Sequence, residues 1–458
     1  MLKKNVDFTL VGKSYLSFIL GLELLDEKKN VLVLDDQRIQ YGETFLNQLS
    51  ALDVEFIKFL GKKNKIKVLE EIDQNIKILS YNFFYNNSRI RLEKDPHSNF
   101  IEILRKIPGF HRDQIHTYIK KLDQLDFNAD YFHYIKLIAA RASEFQSPSS
   151  FNYLALSEGA PEILIQFAND FYQALHNNYD LLVFLYMSSS ISHSSLRREF
   201  SKFEVLHLIC SLLSPRYELK NVDFEKKLEN IFRLRGGQFK STYIRQWLFH
   251  KKKPWSVELA SYEGIIHPKK LVFMGGLPEN FPIKVEPERN IYSPLIYNLP
   301  CKEAEYEQFK NSFFLFGNTS WIGTRFPMVK FLVKKNEIII LVLVKRQKGS
   351  KLNFFRAEST ERIKFLFHKY FYFYNFDLSK LQGPTLGHEI YLNEHFRDNR
   401  SVTDKNETAM HPKVDLFNFS NPTDKEKMKD AFYVGPLKNK PLGLFSTILE
   451  IKSPHEFL

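Results

Sequence analysis

The residues best suited to chemistry lie near the N-terminus: Gly12-Lys13-Ser14-Tyr15-Leu16-Ser17, with Asp35 23 positions after Gly12. A pyrophosphate laid against backbone needs a tight turn, a second small residue for close approach, and a third where helix meets strand. The helix that follows supplies N–H donors and a partial positive charge. One glycine and two serines occupy those places here, so Gly12, Lys13, Ser14 and Ser17 are the candidate phosphate-side residues. An acid about 20 residues further on suits a ribose 2′-hydroxyl, and Asp35 stands there. The plainer alternative is a strand-to-helix turn with small residues by coincidence. Both readings stay open at this level.

The elements needed to hold such a turn are legible on either side. Residues 6 to 11 read as a short strand ending at Gly12. Tyr15 to Leu25 is apolar almost all round, as expected of a buried helix. Lys28-Lys29-Asn30 makes a turn, and Val31 to Leu34 is an aliphatic run of the kind found in parallel strands covered on both faces. Strand, turn, buried helix, strand and terminal acid together predict a Rossmann-type βαβ unit.

On these residues the chain resembles the FAD-dependent amine oxidase and carotenoid desaturase superfamily. Gly12, Ser14 and Ser17 match by position the three glycines of its first turn, and Asp35 its ribose-binding acid. Tyr41-Gly42 falls where that family has a Gly-Gly pair. Arg235-Gly236-Gly237 is similar to its second glycine motif, Ser256 to Leu259 with Val257 to the strand passing the adenine, and Leu271 to Pro278 to the strand that re-enters the nucleotide domain. Ala431 to Gly435 looks like its last strand and turn, near the ribityl chain. The resemblance implies FAD as cofactor, with Gly42, Val257 and Gly435 added to the candidate contacts, and hydride removal from a C–H or C–N bond of a small apolar substrate. Two departures stand out: Tyr41 replaces a glycine, and Pro436 stands where the family has aspartate. The Rab GDP-dissociation inhibitor and escort family is also similar here, through Asp35, Tyr41, Gly42 and Glu43, and it implies a binding protein without redox chemistry.

The rest of the chain bounds the reading. At 458 residues two domains are expected. The predicted architecture is an α/β Rossmann-type FAD/NAD(P)-binding domain, assembled from 1–75, 236–285 and 425–458. A mixed α+β substrate domain would take 76–235 and 286–424. Within these, Asp53 to Leu60 reads as a helix stopped by Gly61, and Ile76 to Tyr85 with Arg89 to Leu92 as a hairpin. A helix follows Pro161, and a helical stretch is expected from Gly236-Gly237 to Phe249. Phe365 to Phe376 is an aromatic run in which Tyr370 to Tyr374 reads as a strand packed on a sheet, with an apolar pocket lining as the alternative. Ile338 to Val344 reads as a buried strand, and Arg397 to Asn406 as loop. The 43 Phe and 22 Tyr are assigned to core packing.

The net charge of +12 favours anionic ligands, but the lysines fall in short runs such as Lys251-Lys252-Lys253 and form no basic stripe with interleaved aromatics. No specific nucleic-acid binding is expected; peripheral contact with an acidic membrane is compatible with the charge. Two distant cysteines, Cys210 and Cys301, exclude a disulfide framework and fit a reducing, cytoplasmic compartment. Asp7, Lys13 and Glu23 interrupt any signal-peptide pattern, and the seven residues from Ile338 to Val344 are too short to span a bilayer. There is no G-x-S-x-G, H-E-x-x-H or C-x-x-C motif, His193 and His250 are isolated, and no catalytic side chain is assigned.

Overall fold

A computed structural model describes residues 5–36, 48–85, 88–107, 109–144, 157–175, 181, 184, 202–250, 253–260, 264–274, 290–309, 312–317, 328–345, 352–372, 374, 376–386, 391–393, 430–434 and 448. The described strands form two sheets. The first holds β1 (Asn5–Val11), β2 (Val31–Asp35), β7 (Gln238–Ser241), β8 (Ile244–His250), β9 (Lys253–Leu259), β10 (Ile265–Met274) and β17 (Ala431–Val434). Five of these run parallel in the spatial order β7-β2-β1-β10-β17, and β8 and β9 form an antiparallel meander attached to the start of β10. That is the doubly wound order of a Rossmann-type domain, whose strand sequence reverses direction between β1 and β10.

The local causes are visible in the residues. β2 is Val31-Leu-Val-Leu-Asp35, buried through its four aliphatic positions, as a strand covered on both faces must be. α1 (Tyr15–Asp26) is buried at every position from Tyr15 to Leu24, so its apolar surface runs right round. Full burial of each Leu, Ile or Phe there contributes about 1.5–3 kcal/mol. On its outer side lies α9 (Asn221–Leu234), whose Phe232 ring seats against the helix. A Cβ on Gly21 would come within 2.7 Å of that ring, and one on Gly237 within 2.4 Å, so two glycines make its socket.

The second sheet runs β15-β11-β14-β13-β12-β4-β6-β3, with β5 on β4 and β16 on β11. Its strands are β3 (Gln48–Ser50), β4 (Ile76–Tyr85), β5 (Ser88–Leu92), β6 (Arg216–Leu219), β11 (Asn290–Pro300), β12 (Ser312–Gly317), β13 (Met328–Val333), β14 (Glu337–Lys345), β15 (Gln382–Leu386) and β16 (Tyr391–Asn393). One aromatic core packs Phe314, Phe316 and Phe331 from this sheet against Phe367 and Phe371. The remaining helices are α2 (Ala51–Asn64), α3 (Lys67–Glu70), α4 (Pro96–Lys106), α5 (Arg112–Leu122), α6 (Phe127–Glu144), α7 (Glu162–Leu175), α8 (Lys202–Leu213), α10 (Glu303–Phe309) and α11 (Leu352–Tyr370). None of the described helices is long and apolar enough to cross a membrane.

The hairpin of β4 and β5, the helix after Pro161 and the buried strand β14 form as the sequence predicts. Three expectations are corrected. No helix follows Gly236-Gly237: the helix precedes them, Gly236 at φ +93° ends α9, and β7 and β8 follow. Pairing with β2 decides the state of residues 238–241, a choice no local propensity contains. Gly61 does not stop α2, which continues to Asn64 and ends on Lys65 at φ +53°. Gly61 instead makes room for Leu69 and Glu70, whose atoms lie 2.6–2.9 Å from where a Cβ would be. The aromatic run is helical to Tyr370 rather than extended, with Phe367 packed against the second sheet at helical spacing from Ile363 and Phe371, and Phe365 exposed. Arg397 to Asn406 lies outside the described residues.

Candidate functional site at the edge of the parallel sheet

In an open parallel sheet, ligands bind beyond the carboxyl ends of the strands, at the point where strand order reverses. Gly12 stands there, directly after β1. Its φ is +109°, a conformation that favours glycine, and its N–H donates to the Leu34 carbonyl at 2.8 Å, tying the turn to β2. Ser14 is the N-cap of α1: its Oγ accepts from the Ser17 N–H at 3.1 Å. The Ser17 hydroxyl donates to the Gly12 carbonyl at 2.6 Å and lies 3.0 Å from the Ser14 hydroxyl. With the Ser17 proton committed to Gly12, the Ser14 hydroxyl is the donor between the two serines. Both are fully buried. Phe18 is the first residue whose N–H returns to the helix, to Ser14 O, so the N–H groups of Tyr15 and Leu16 remain as donors in the first turn.

Lys13 turns away from the strand ends toward α9 and β7. Its ammonium pairs with Glu229 at 3.5 Å and lies 5.3 Å from the centre of the Phe239 ring. Tyr15 is buried edge-to-face against Phe224. Burial, followed by the charges of Asp53 and Glu225, pushes its hydroxyl well above the usual tyrosine range.

Asp35 ends β2 with its carboxylate accepting from the Ser241 hydroxyl at 3.0 Å, while its carbonyl accepts from Thr242 N–H at 3.0 Å. The register of β2 and β7 produces this pairing by placing Asp35 opposite Ser241. Ser241 was not legible as a site residue, because a neighbour 206 positions away leaves no mark in local spacing. Asp36 is fully buried and accepts from Ile244 N–H at 3.1 Å, anchoring the meander. The two consecutive acids therefore divide the work: Asp35 stands half-buried at the edge and Asp36 holds the backbone.

The other predicted contacts are placed differently. Val257 pairs with Ile266 and Trp247 inside the meander's apolar core. Ile266 precedes the level of Asn5 in the β1–β10 register, so Val257 lies at the far end of the sheet. At the rise of a strand that is about 26 Å along the sheet from Gly12. The structure thus does not bring Val257 together with the Gly12 turn. Gly42 and Gly435 lie outside the described residues, as do Tyr41, Glu43, Pro436 and His193.

The residues fit an adenine dinucleotide on three counts: the backbone of Gly12 is glycine-specific, first-turn donors of α1 remain, and Asp35 ends the neighbouring strand. They depart from it where Ser14 and Ser17 satisfy the turn from within. No metal-binding group of three His, Cys, Asp or Glu occurs among the described residues.

No protein-family model and no curated protein matches the chain. Among solved structures it is similar to a flavoprotein/dehydrogenase from Cytophaga hutchinsonii, at 8% identity and TM-score 0.44, over 99% of this chain and 77% of that one. The flavin-dependent brominase Bmp2 follows at 10% identity and TM-score 0.42, over 99% and 77%. The peptidyl tryptophan dihydroxylase QhpG aligns at 6% identity and TM-score 0.39 over 85% of this chain, which spans 56% of that one. None of the three is named as an amine oxidase, a desaturase or a Rab GDP-dissociation inhibitor. The assignment of a Rossmann-type α/β domain beside a mixed second domain rests on the strand order itself.

Proposed function

We propose that the chain binds FAD along the carboxyl edge of the parallel sheet and serves as a FAD-dependent oxidoreductase acting on a small apolar molecule. The carrying observation is Gly12 at φ +109° beside Asp35, each at the end of one of two adjacent parallel strands. In this reading the Gly12 backbone approaches the pyrophosphate, and the Tyr15 and Leu16 N–H groups and the helix dipole hold its charge. Asp35, oriented by Ser241, accepts from the ribose 2′-hydroxyl. When bound, the flavin supplies the hydride acceptor; the protein supplies orientation and exclusion of water. The finer assignment, hydride removal of the amine oxidase or desaturase type, is supported by the sequence resemblance alone.

The visible spectrum of the purified protein, with FAD-dependent thermal melts, tests this. Flavin absorbance, or a melt raised by FAD and lost in Asp35→Ala, is the expected result. A colourless protein whose melt ignores FAD sinks it. The second reading, a binding protein on the same frame without redox chemistry, is favoured by one observation: the serine turn has met its own hydrogen-bonding needs.

A further inference from the structure

Away from the strand ends, a small cavity lies between the β3–β6 edge of the second sheet and helices α6 and α8. Its polar end is built from residues distant in sequence. Asp53, in the first turn of α2, is 4% exposed; its Oδ2 accepts from Ser50 N–H at 2.7 Å and Ser50 Oγ at 2.6 Å, while Oδ1 has no partner. Arg216, opposite Ser50 in the β3–β6 register, is 6% exposed. Its Nη2 donates to the Ser211 carbonyl at 2.8 Å and to the Ser211 hydroxyl, and its Nε has no partner. The two charged groups line the same cavity without forming a direct ion pair among the described residues. A buried acceptor and a buried donor, on two residues that line one cavity, are thus both left open, an arrangement that costs free energy unless each finds a partner.

The surroundings restrict what that is. His207 is held neutral by burial and then by the Arg216 charge, its pKa pushed down to about 3. Burial pushes the Cys210 thiol up to about 12, so it too is neutral. Burial pushes the Asp53 carboxyl up and Arg216 down, so the site already disfavours charge, and neither neighbour ionises near neutral pH to offset a further one. A charged ligand would leave a net buried charge, which is strongly unfavourable. The wall beyond the polar end is apolar: Leu52, Ile135, Ile138 and the rings of Tyr131 and Tyr134.

We infer that this cavity, of about 20 Å³, takes only the uncharged hydroxyl or carboxamide head of a small molecule, which donates to Asp53 Oδ1 and accepts from Arg216 Nε while the rest of the molecule stays outside it. The site is complete without a cofactor, so it stands or falls apart from the FAD reading.

Acetamide and acetate, nearly equal in size and unequal in charge, probe it directly. Crystals of the full chain soaked in acetamide should show it bridging Asp53 and Arg216, and acetate soaks should not. In solution the Arg216 Nε–H resonance should shift with acetamide only. In Asp53→Asn, acetamide should bind at least about tenfold more weakly, since a hydrogen bond to a charged acceptor is lost, and acetate should now enter to pair with Arg216. Should that variant fail to fold, the wild-type pair of soaks still decides. Acetate binding in the wild type, or water alone in both soaks with an unmoved Nε–H signal, overturns the inference.

Discussion

The serine turn and the Asp53–Arg216 cavity solve opposite problems with the same kinds of atoms. At the turn, two hydroxyls, one carbonyl and one N–H satisfy each other within six residues, from Gly12 to Ser17. In the cavity, a carboxylate oxygen and a guanidinium nitrogen contributed by distant elements are buried and left open. The motif most legible in the sequence is the one whose side-chain polar atoms are already engaged, with only backbone N–H groups of Tyr15 and Leu16 left open. The less legible cluster keeps its binding capacity free. A resemblance to a ligand motif and a vacancy for a ligand are therefore separate properties, and the second is read from unpaired buried atoms.

The comparison is broken most sharply at Arg216. Arg216→Met leaves the Asp53 charge buried without its counter-charge and should lower unfolding stability by about 3–5 kcal/mol. Adding Asp53→Asn to that variant should restore part of the loss, because the orphaned charge goes too. Urea denaturation of both variants measures it; a cost under about 1 kcal/mol would mean the guanidinium is not held as described.

The seat of α1 should be the next most sensitive. Gly237→Ala drives a Cβ to 2.4 Å from a Phe232 ring that Gly21 confines from the other side. Overpacking of this kind costs about 1–3 kcal/mol. Phe232→Leu in the same background should relieve it, and thermal melts of the two variants show whether it does.

A pH series sharpens the cavity's side. His207 is buried with its pKa depressed to about 3, whereas the unfolded chain takes up the proton near 6.5. Below pH 6.5 the unfolded state binds a proton that the folded state does not, so stability falls as pH falls, by about 1.4 kcal/mol per unit until the folded group titrates. Between pH 6.5 and 5, where carboxylates contribute little, His207→Gln should flatten this slope. An unchanged slope in the variant would place the acid sensitivity elsewhere.

The smallest effect belongs to the turn. Ser14→Gly removes the capping hydroxyl but keeps a residue tolerated at an N-cap, so stability should fall by only a few tenths of a kcal/mol. FAD affinity should hold or rise, since the Ser17 N–H that this hydroxyl engages is freed. Paired melts with and without FAD read both quantities, and a stability loss above about 1.5 kcal/mol would show the serine network to be a structural strut.

The sequence alone determined the β1–turn–α1–β2 unit and its terminal Asp35. Every signal for it is local: a glycine closing a short strand, a helix apolar almost all round, an aliphatic run ending in an acid. Only the tertiary structure decided that Ser241 orients Asp35, that residues 238–241 extend a sheet rather than a helix, and that Asp53 and Arg216 line one cavity. Those depend on strand register between segments more than 150 residues apart, as with Ser50 opposite Arg216. Burial likewise turned the aromatic run before Tyr370 into helix and made glycines at 21, 61 and 237 into sockets for neighbouring chain. Periodicity reports which face of an element is apolar; what that face meets is settled only when the chain has closed on itself.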